Sequence, residues 1–365
     1  MKGGSYERLD LKGGTAMVSP RSKGALGRVD AVVFDCDGTL IDVRGSYDTT
    51  IMRTVALMTE RFSGAVLDLE GSGVGGRLIL KIRSTGGFNS DWDTTYALSL
   101  FTEAAIERCG PRAGAESLLR RLEEVVEDFG SRKRLAGHES VDRYVLRSGL
   151  RSARLEELRR SLGYPGNAMT SAMAAAFDQV YYGARLFRRV YGVAPAVSYP
   201  EGLIDRETLL VGRDDLVRFR RLAGGGGRMA MATGRPFVAV KHTLGPLLRF
   251  FERAASVYIG DGDIYPALEP ELAVFRKPSG ASLVRAHQRL GAKVMLYIGD
   301  SAEDRLMVDD ARRSYPNTLF AGICGSSFDE AEQERYFTRT SSDVLVRSVD
   351  QVPEVLEIIR GERWR

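Results

Sequence analysis

The chain has little cysteine and histidine, and this limits the chemistry that it can use. Only three of its 365 residues are cysteine, and Cys36, Cys109 and Cys324 lie far apart. An odd number at such spacing argues against a disulfide framework and against a CxxC metal site. The three histidines are equally scattered, so no zinc ligand set and no catalytic triad can be argued. We therefore expect a protein of the reducing cytoplasm.

Long apolar runs and an excess of one charge are also missing. No run approaches the ~18 apolar residues of a membrane span, so a membrane protein is not expected. Residues 1–28 lack the ~7–15-residue apolar stretch of a secretory signal and are predicted to be an N-terminal tail. The 52 basic residues nearly balance the 48 acidic ones, so charge alone does not indicate nucleic-acid binding. Lysine is scarce, with eight residues against 44 arginines, which makes each lysine informative.

The sequence does contain a series of short β-branched and aromatic runs. The first, at residues 29–34, ends in a polar cluster, as a buried parallel strand does at its carboxyl end. Similar runs follow at residues 228–232, 256–259, 294–298, 318–323 and 343–346. Stretches that could each hold a helix separate them. We therefore predict an α/β protein with a doubly wound, Rossmann-like parallel sheet and ligands at the carboxyl ends of its strands.

The interval between the first and second strands reads almost wholly as helix. Apolar residues recur there at spacings of three and four. The predicted helices cover residues 47–62, 92–109, 115–129, 153–162 and 171–191. An α-helical domain at residues 46–199 is therefore predicted, inserted into a core formed by residues 29–45 and 200–365.

The first strand leads directly into Asp35-Cys36-Asp37-Gly38-Thr39. Two carboxylates at the end of a buried strand are costly unless a cation or hydrogen-bond donors compensate them. Mg²⁺ prefers oxygen ligands and commonly binds one or two carboxylates with water and phosphate oxygens. The pattern therefore indicates a metal site, although an ordinary Asp-rich turn would also fit it.

A phosphate-binding group is predicted where the second strand ends. Thr233, Gly234 and Arg235 follow it and offer a hydroxyl and backbone N–H groups where a helix is predicted to begin, and a helix N-terminus is a common phosphate-binding site. Thr233 would equally suit a simple helix N-cap. Lys277 precedes an amphipathic stretch and could neutralise a carboxylate and a phosphate together, or be an ordinary surface lysine.

A second acidic loop follows the run at residues 294–298. It contains Asp300 and Asp304, which would share one face if a helix starts there. Because this strand and the first are parallel, their acidic loops are expected at the same edge of the sheet.

In this order the elements resemble the four motifs of the haloacid dehalogenase-like hydrolase superfamily: a strand with DxDGT, a strand with Thr, a Lys, and a strand with GDxxxD. The resemblance covers residues 29 to about 350. It implies that Asp35 is the nucleophile. It implies also that Asp37 is the general acid/base, which protonates the leaving alcohol and then activates water. The second Asp favours phosphate esters over dehalogenation.

The resemblance further implies a Mg²⁺ ion and a phosphate site. The metal ligands would be Asp35, the Asp37 backbone carbonyl and Asp300, with Asp304 as a secondary candidate. Thr233 and Lys277 would be catalytic residues that hold the phosphoryl oxygens. The implied phosphate-binding residues are Gly38, Thr39, Thr233, Gly234, Arg235 and Lys277.

The inserted helices occupy the position of the helical cap of subfamily I in this superfamily. The cap is larger than usual because residues 131–170 add helices, which leaves the substrate open. Residues 86–93 resemble a GFNxDWD signature of one subgroup. Asn89 and Asp91 are predicted to bind substrate from this loop, although an ordinary helix N-cap with Trp92 in the core would also explain it.

Two glycine-containing motifs are set aside. Residues 71–76 satisfy GxGxxG but do not follow a good strand, and residues 260–263 precede Lys277 and lack a downstream Asp.

The expected function is Mg²⁺-dependent hydrolysis of a small phosphorylated metabolite. The alternatives are a phosphomutase with the same phosphorylated aspartate or a non-enzymatic binding protein on this fold. The sequence leaves open whether the protein is a monomer or a homodimer.

Overall fold

The structure, a computed structural model, describes residues 6–85, 88, 90–110, 113–131, 137–197, 199–225, 228–327 and 329–362. The chain divides into two compact units. We call Met1–Val43 with Glu207–Arg365 the core unit, and Arg44–Arg206 the helical unit. The predicted insertion, residues 46–199, begins later and ends earlier in the sequence than the helical unit does. No helix within the described ranges is both long and apolar enough to span a membrane.

The described part of the chain contains ten strands. In chain order they are β1 (Glu7–Leu11), β2 (Gly14–Val18), β3 (Ala31–Phe34), β4 (Ile41–Asp42), β5 (Thr208–Leu209), β6 (Met229–Thr233), β7 (Val257–Tyr258), β8 (Met295–Gly299), β9 (Thr318–Ile323) and β10 (Val344–Val346). Eight form one sheet in the order β1-β2-β10-β9-β8-β3-β6-β7, while β4 and β5 form a separate antiparallel pair. All neighbours from β10 to β7 are parallel. The six predicted runs correspond to β3 and β6–β10, so the predicted α/β class is confirmed.

Helices account for most of the other described residues. In chain order they are α1 (Lys23–Leu26), α2 (Tyr47–Ser63), α3 (Gly75–Arg83), α4 (Asp91–Cys109), α5 (Ala115–Ser131), α6 (Gly137–Arg147), α7 (Ser152–Leu162), α8 (Ala172–Tyr191), α9 (Arg213–Leu222), α10 (Phe237–Leu244), α11 (Asp261–Ile264), α12 (Glu269–Leu272), α13 (Ala281–Leu290), α14 (Ala302–Ala311), α15 (Glu330–Arg339) and α16 (Val352–Arg360). Short 3₁₀ segments are Pro20–Ser22, Leu203–Arg206, Gly245–Phe250, Arg253–Ala255, Pro266–Leu268, Ala273–Phe275 and Val349–Gln351.

Helices cover both faces of the large sheet. On β3, Val32 and Phe34 contribute to one apolar core and Ala31 and Val33 to another, because successive side chains of a strand point to opposite faces. Residues of α9, α10 and α16 pack in the first core, and residues of α13, α14 and α15 in the second. Burial on both faces explains why these strands read as continuous apolar runs.

The N-terminal segment differs from its prediction. β1 and β2 form a hairpin that turns at Lys12 and Gly13, and β2 pairs antiparallel with β10. Ala16 and Val18 are fully buried in the core. The prediction of a tail over residues 1–28 is therefore wrong for the hairpin. Only alternate residues of these strands face the protein interior, so they lack the continuous apolar runs of the central strands.

The helical unit contains α2–α8. Five of these helices lie where the spacing predicts them, α6 falls within residues 131–170, where extra helices are expected, and α3 is additional. Helix α8 is kinked at Gly183, whose φ is +69°. A Cβ on Gly183 would lie 2.4 Å from the backbone N of Gly202, so both the φ angle and the close approach require glycine. Residues 71–76 enter α3 from a turn rather than a strand, so the dinucleotide-binding context is missing.

One histidine of α13, His287, is buried. The His287 Nε2 lies 2.9 Å from the Thr318 Oγ1, and its ring stacks on Tyr315 at 4.3 Å between centroids. Burial lowers the pKa of His287, and this effect outweighs that of the nearby groups, which raise it. The folded protein therefore favours the neutral imidazole.

Candidate active site

Two acidic loops meet at the carboxyl ends of neighbouring strands. Asp35 directly follows β3, Asp300 directly follows β8, and the Asp35 N–H donates to the Ile298 carbonyl at 2.8 Å. Carboxylate oxygens of Asp35, Asp300 and Asp304 lie within 4.8 Å of one another. The structure therefore brings together three of the four acidic residues predicted from widely separated motifs.

Lys277 lies among these carboxylates. Its Nζ is 2.9 Å from the Asp35 Oδ1 and 2.6 Å from the Asp304 Oδ1. Burial alone would lower the pKa of Lys277, but the carboxylates of Asp304 and Asp35 outweigh it and raise that pKa. Lys277 is therefore a permanent cation at the acidic cluster, not an exposed surface lysine.

Asp304 accepts hydrogen bonds from three residues, Lys277, Tyr297 and Ser301. Its Oδ1 is 2.8 Å from the Tyr297 hydroxyl, and its Oδ2 accepts from the Ser301 N–H at 3.0 Å and the Ser301 hydroxyl at 2.8 Å. Burial raises the pKa of Asp304, but Lys277 and these donors outweigh burial and lower it overall. Since Ser301 and Asp304 form the capping box of α14, this carboxylate fixes the helix start and Lys277 together.

The negative charges of Asp35 and Asp300 are only partly balanced by nearby positive charge and hydrogen-bond donors. Burial raises the pKa of Asp35 to about 7, with Asp304 and Asp37 adding to the rise and Lys277 opposing it. Burial, followed by Asp304 and Asp35, also raises the pKa of Asp300 well above its usual range. Three carboxylates share one ammonium, so the donor set of buried oxygens suits a hard divalent cation such as Mg²⁺.

Gly38 makes the close approach of the two loops possible. Its φ is +69°, and a Cβ built there would lie 2.0 Å from the Asp300 Oδ2. The turn around it is closed by the Gly38 N–H, which donates to the Ile41 carbonyl at 2.8 Å. Glycine is therefore required for its backbone conformation and for the space that the Asp300 carboxylate occupies.

Two predicted phosphate-binding hydroxyls are buried near these strand ends. Thr233 is the last residue of β6, next to β3 in the sheet, and its Oγ1 accepts from the Arg235 N–H at 3.1 Å. The Thr39 hydroxyl is fully buried and has no hydrogen-bond partner among the residues that the structure describes. A buried hydroxyl without a partner is unfavourable, so a ligand oxygen would satisfy it.

Arg235 has partners that its sequence prediction did not include. Its Nη1 donates to the Asp37 Oδ1 at 2.6 Å, and its Nη2 donates to the Glu207 Oε2. The Arg235 side chain is fully buried, whereas that of Asp37 is 31% exposed. The guanidinium is thus directed at two carboxylates, and the phosphate contact predicted for it stays a prediction.

Cys36, between the two aspartates, is not a competing nucleophile. Burial and the neighbouring Asp37 raise the pKa of its thiol well above the usual range. The thiol therefore stays protonated, and thiolate chemistry at this position is disfavoured.

Comparison with known proteins decides the family. A family model described as haloacid dehalogenase-like hydrolase matches residues 29–311, which is more than half of the chain. The chain belongs to this family. A search of curated protein sequences finds no match.

Two solved structures resemble this haloacid dehalogenase-like hydrolase. An X-ray structure of a Northeast Structural Genomics Consortium target is 16% identical, with a TM-score of 0.59, over 92% of this chain and 100% of its own. Phosphatase Tt82 from Thermococcus thioreducens is 22% identical, with a TM-score of 0.51, over 84% of this chain and 98% of its own. At these identities the similarity shows the fold alone.

The predicted substrate loop of this haloacid dehalogenase-like hydrolase lies in the helical unit. Asn89 falls outside the described residues. Asp91 begins α4, and its Oδ1 accepts from the Arg83 Nη2 at 2.6 Å, while the Arg83 Nη1 donates to the Asp48 Oδ1 at 2.8 Å. Arg83 thus joins α3 to α2 and α4, which gives Asp91 a packing role, and the substrate contact predicted for Asp91 stays a prediction.

The second set of acidic residues, at 260–263, has structural partners. The Asp261 Oδ1 accepts from the Phe237 N–H at 2.7 Å at the start of α10, and Asp263 pairs with Arg276 at 3.3 Å. Sequence reasoning missed Tyr297 and Glu207. Tyr297 looks like any aromatic strand residue, and Glu207 lies in a loop with no periodic pattern.

Proposed function

We propose that this haloacid dehalogenase-like hydrolase is a Mg²⁺-dependent phosphohydrolase of a small phosphorylated molecule, with Asp35 transiently phosphorylated. The observation that carries the proposal is the Lys277 Nζ between Asp35 and Asp304, beside Asp300. One ammonium among three carboxylates leaves the site with an excess of negative charge. Such a site suits a divalent cation together with an anionic phosphoryl group.

Asp35 and Asp300 would hold the Mg²⁺ ion, with Asp304 at the edge of the same cluster. When bound, the ion would neutralise charge on the nucleophile and on the phosphoryl oxygens. Both oxygens of Asp304 already accept hydrogen bonds, so its main contribution would be to hold Lys277. The Asp37 backbone carbonyl is proposed as a further ligand.

The chain's own groups would perform two displacements at phosphorus. In the first, an Asp35 carboxylate oxygen bonds to phosphorus as the ester P–O bond breaks, and Asp37 gives its proton to the departing oxygen. In the second, a water oxygen attacks phosphorus, Asp37 takes the water proton, and the Asp35–phosphorus bond breaks to release phosphate. Lys277 and the Thr233 and Thr39 hydroxyls would compensate the phosphoryl oxygens.

The test is a screen of phosphorylated metabolites with Mg²⁺, which measures inorganic phosphate. We expect release with Mg²⁺ and its loss with EDTA, because oxygen ligands dominate the site. Isomerisation of a substrate without phosphate release would replace the hydrolase by a phosphomutase. Turnover that persists after complete metal removal would contradict the metal requirement. We also propose that residues 86–93 select among substrates, as the sequence predicts.

A further inference from the structure

Asp37 is linked to two fully buried charged side chains. Arg235 is fully buried and donates with one nitrogen to Asp37 and with the other to Glu207, whose side chain is also fully buried. The Thr243 hydroxyl donates to the Glu207 Oε2 at 2.8 Å and lies 3.3 Å from the Arg235 Nη2. Glu207 thus accepts from both the Arg235 guanidinium and the Thr243 hydroxyl.

The network fixes the direction in which Arg235 points. A guanidinium is a planar fork, and a carboxylate that accepts from one branch restricts the orientation of the other. With Glu207 on Nη2, the Nη1 is directed at the Asp37 Oδ1 at 2.6 Å. Removing Glu207 would take the carboxylate away from the Nη2 branch of a buried guanidinium, which would then be free to turn toward another acceptor or take up water.

Glu207 is also attached to the turn that carries Asp37. It directly precedes β5, and β5 pairs with β4 in the register Thr208 to Asp42. The Leu210 N–H then donates to the Leu40 carbonyl at 2.9 Å. The backbone that directly follows Glu207 is thus anchored to residues 40–42, just after the catalytic turn, which restricts where Glu207 can lie relative to Asp37.

We infer that Glu207 is a positioning residue that, through Arg235, holds the Asp37 carboxylate in place for proton transfer to the leaving oxygen. The inference rests on the proposed function, because it presupposes Asp37 as the general acid. Its consequence is selective. Loss of Glu207 should slow the release of basic leaving groups, which need a proton, more than that of acidic ones, which do not.

The experiment compares wild type with Glu207→Gln on 2,4-dinitrophenyl, para-nitrophenyl and phenyl phosphates with Mg²⁺. These esters have similar shapes and increasingly basic leaving groups. The quantity measured is kcat/KM, which includes phosphorylation of Asp35 but not the later hydrolysis. We expect a loss of about 100-fold for phenyl phosphate and a few-fold at most for the dinitrophenyl ester. Equal losses for all three esters, or none, would overturn the positioning role.

Glu357→Gln is the matched control. Glu357 is a buried carboxylate of the core unit that pairs with Arg218 at 2.8 Å and Arg221 at 2.5 Å. Its replacement should lower stability to unfolding while the dependence on leaving group stays that of wild type. If kcat/KM of this control also fell much more for phenyl phosphate than for the dinitrophenyl ester, the inference would be overturned. Loss of any buried ion pair would then be enough to cause the effect.

If Glu207→Gln does not fold, the double variant Glu207→Leu/Arg235→Met takes its place, because an apolar pair leaves no buried charge unpaired. It should show the same selective loss for phenyl phosphate. A crystal structure of either folded variant gives a readout without activity: an Asp37 carboxylate in its wild-type position would overturn the inference. Wild type that hydrolyses none of the esters with Mg²⁺ would instead remove the proposed function and the inference together.

Discussion

Replacing Asp35 by Asn should abolish activity and at the same time stabilise the metal-free protein. Burial and the neighbouring carboxylates raise the pKa of Asp35 from 3.8 to about 7, so its ionised form disfavours the folded state. A rise of this size corresponds to roughly 4 kcal/mol of lost stability at pH 8. The sign follows from linkage: the folded state holds a proton that the unfolded state has released, so stability falls as pH rises between 3.8 and about 7.

Asparagine removes this charge but accepts a weaker hydrogen bond from Lys277, which keeps Asp304 as a partner at 2.6 Å. We therefore expect the free energy of unfolding to increase by about 2 to 4 kcal/mol in EDTA at pH 8. Turnover should fall by about 10⁴-fold or more because the nucleophile is lost.

The assay is urea unfolding in EDTA at pH 8, with phosphate release measured in Mg²⁺. Asp343→Asn is the control, because this buried carboxylate accepts from Arg312 at 2.6 Å and the Phe320 N–H at 2.7 Å and is well compensated. Its free energy of unfolding should fall by about 1 to 3 kcal/mol, a change opposite in sign to that expected for Asp35→Asn. An Asp35→Asn variant that is no more stable than wild type would refute the electrostatic reasoning, and one that retains activity would refute the nucleophile.

Three further predictions concern other parts of the molecule. Gly38→Ala should weaken Mg²⁺ binding at least about 10-fold by calorimetry, because its Cβ would displace the Asp300 carboxylate; unchanged affinity would exclude Asp300 as a ligand. The stability advantage of wild type over His287→Gln should shrink as the pH of urea titrations falls below about 6.5, since the unfolded histidine takes up a proton first; a constant difference would contradict this. Asp91→Ala should reduce kcat/KM for the true substrate much more than for para-nitrophenyl phosphate; parallel losses would leave Asp91 only its packing role with Arg83.

The central strands could be predicted because both of their faces are buried. β3, β8 and β9 are buried at every residue, so apolar side chains predominate along them. In the N-terminal hairpin, more exposed and more buried residues alternate instead. Its charged residues made the strand hard to recognise from sequence. A signal was present in Gly13 and Gly14 between two short alternating segments, which is typical of a tight hairpin.

The acidic cluster could be predicted because its residues follow strands in a recognisable order. Asp35, Asp300 and Lys277 each lie beside such a strand or before a helix. The pairing of Arg235 with Glu207 could not be predicted. Glu207 lies 28 residues earlier, in a loop, and only tertiary contacts bring the two side chains together. Position along a strand thus indicates which groups reach an edge of the sheet, but not which charges pair there.

The N-terminal hairpin has a consequence for how the protein can be cut. A fragment limited to the family-matched residues 29–311 would lack β1, β2, β9 and β10, and β8 would become the open edge of the sheet. The backbone of β8 would then be free to pair with other chains, a common cause of aggregation. In the intact chain the outermost strand is instead β1, whose Glu7, Arg8 and Asp10 place charge along that edge. The sheet of the core unit therefore extends beyond the family-matched residues, and we expect truncation to those residues to promote self-association.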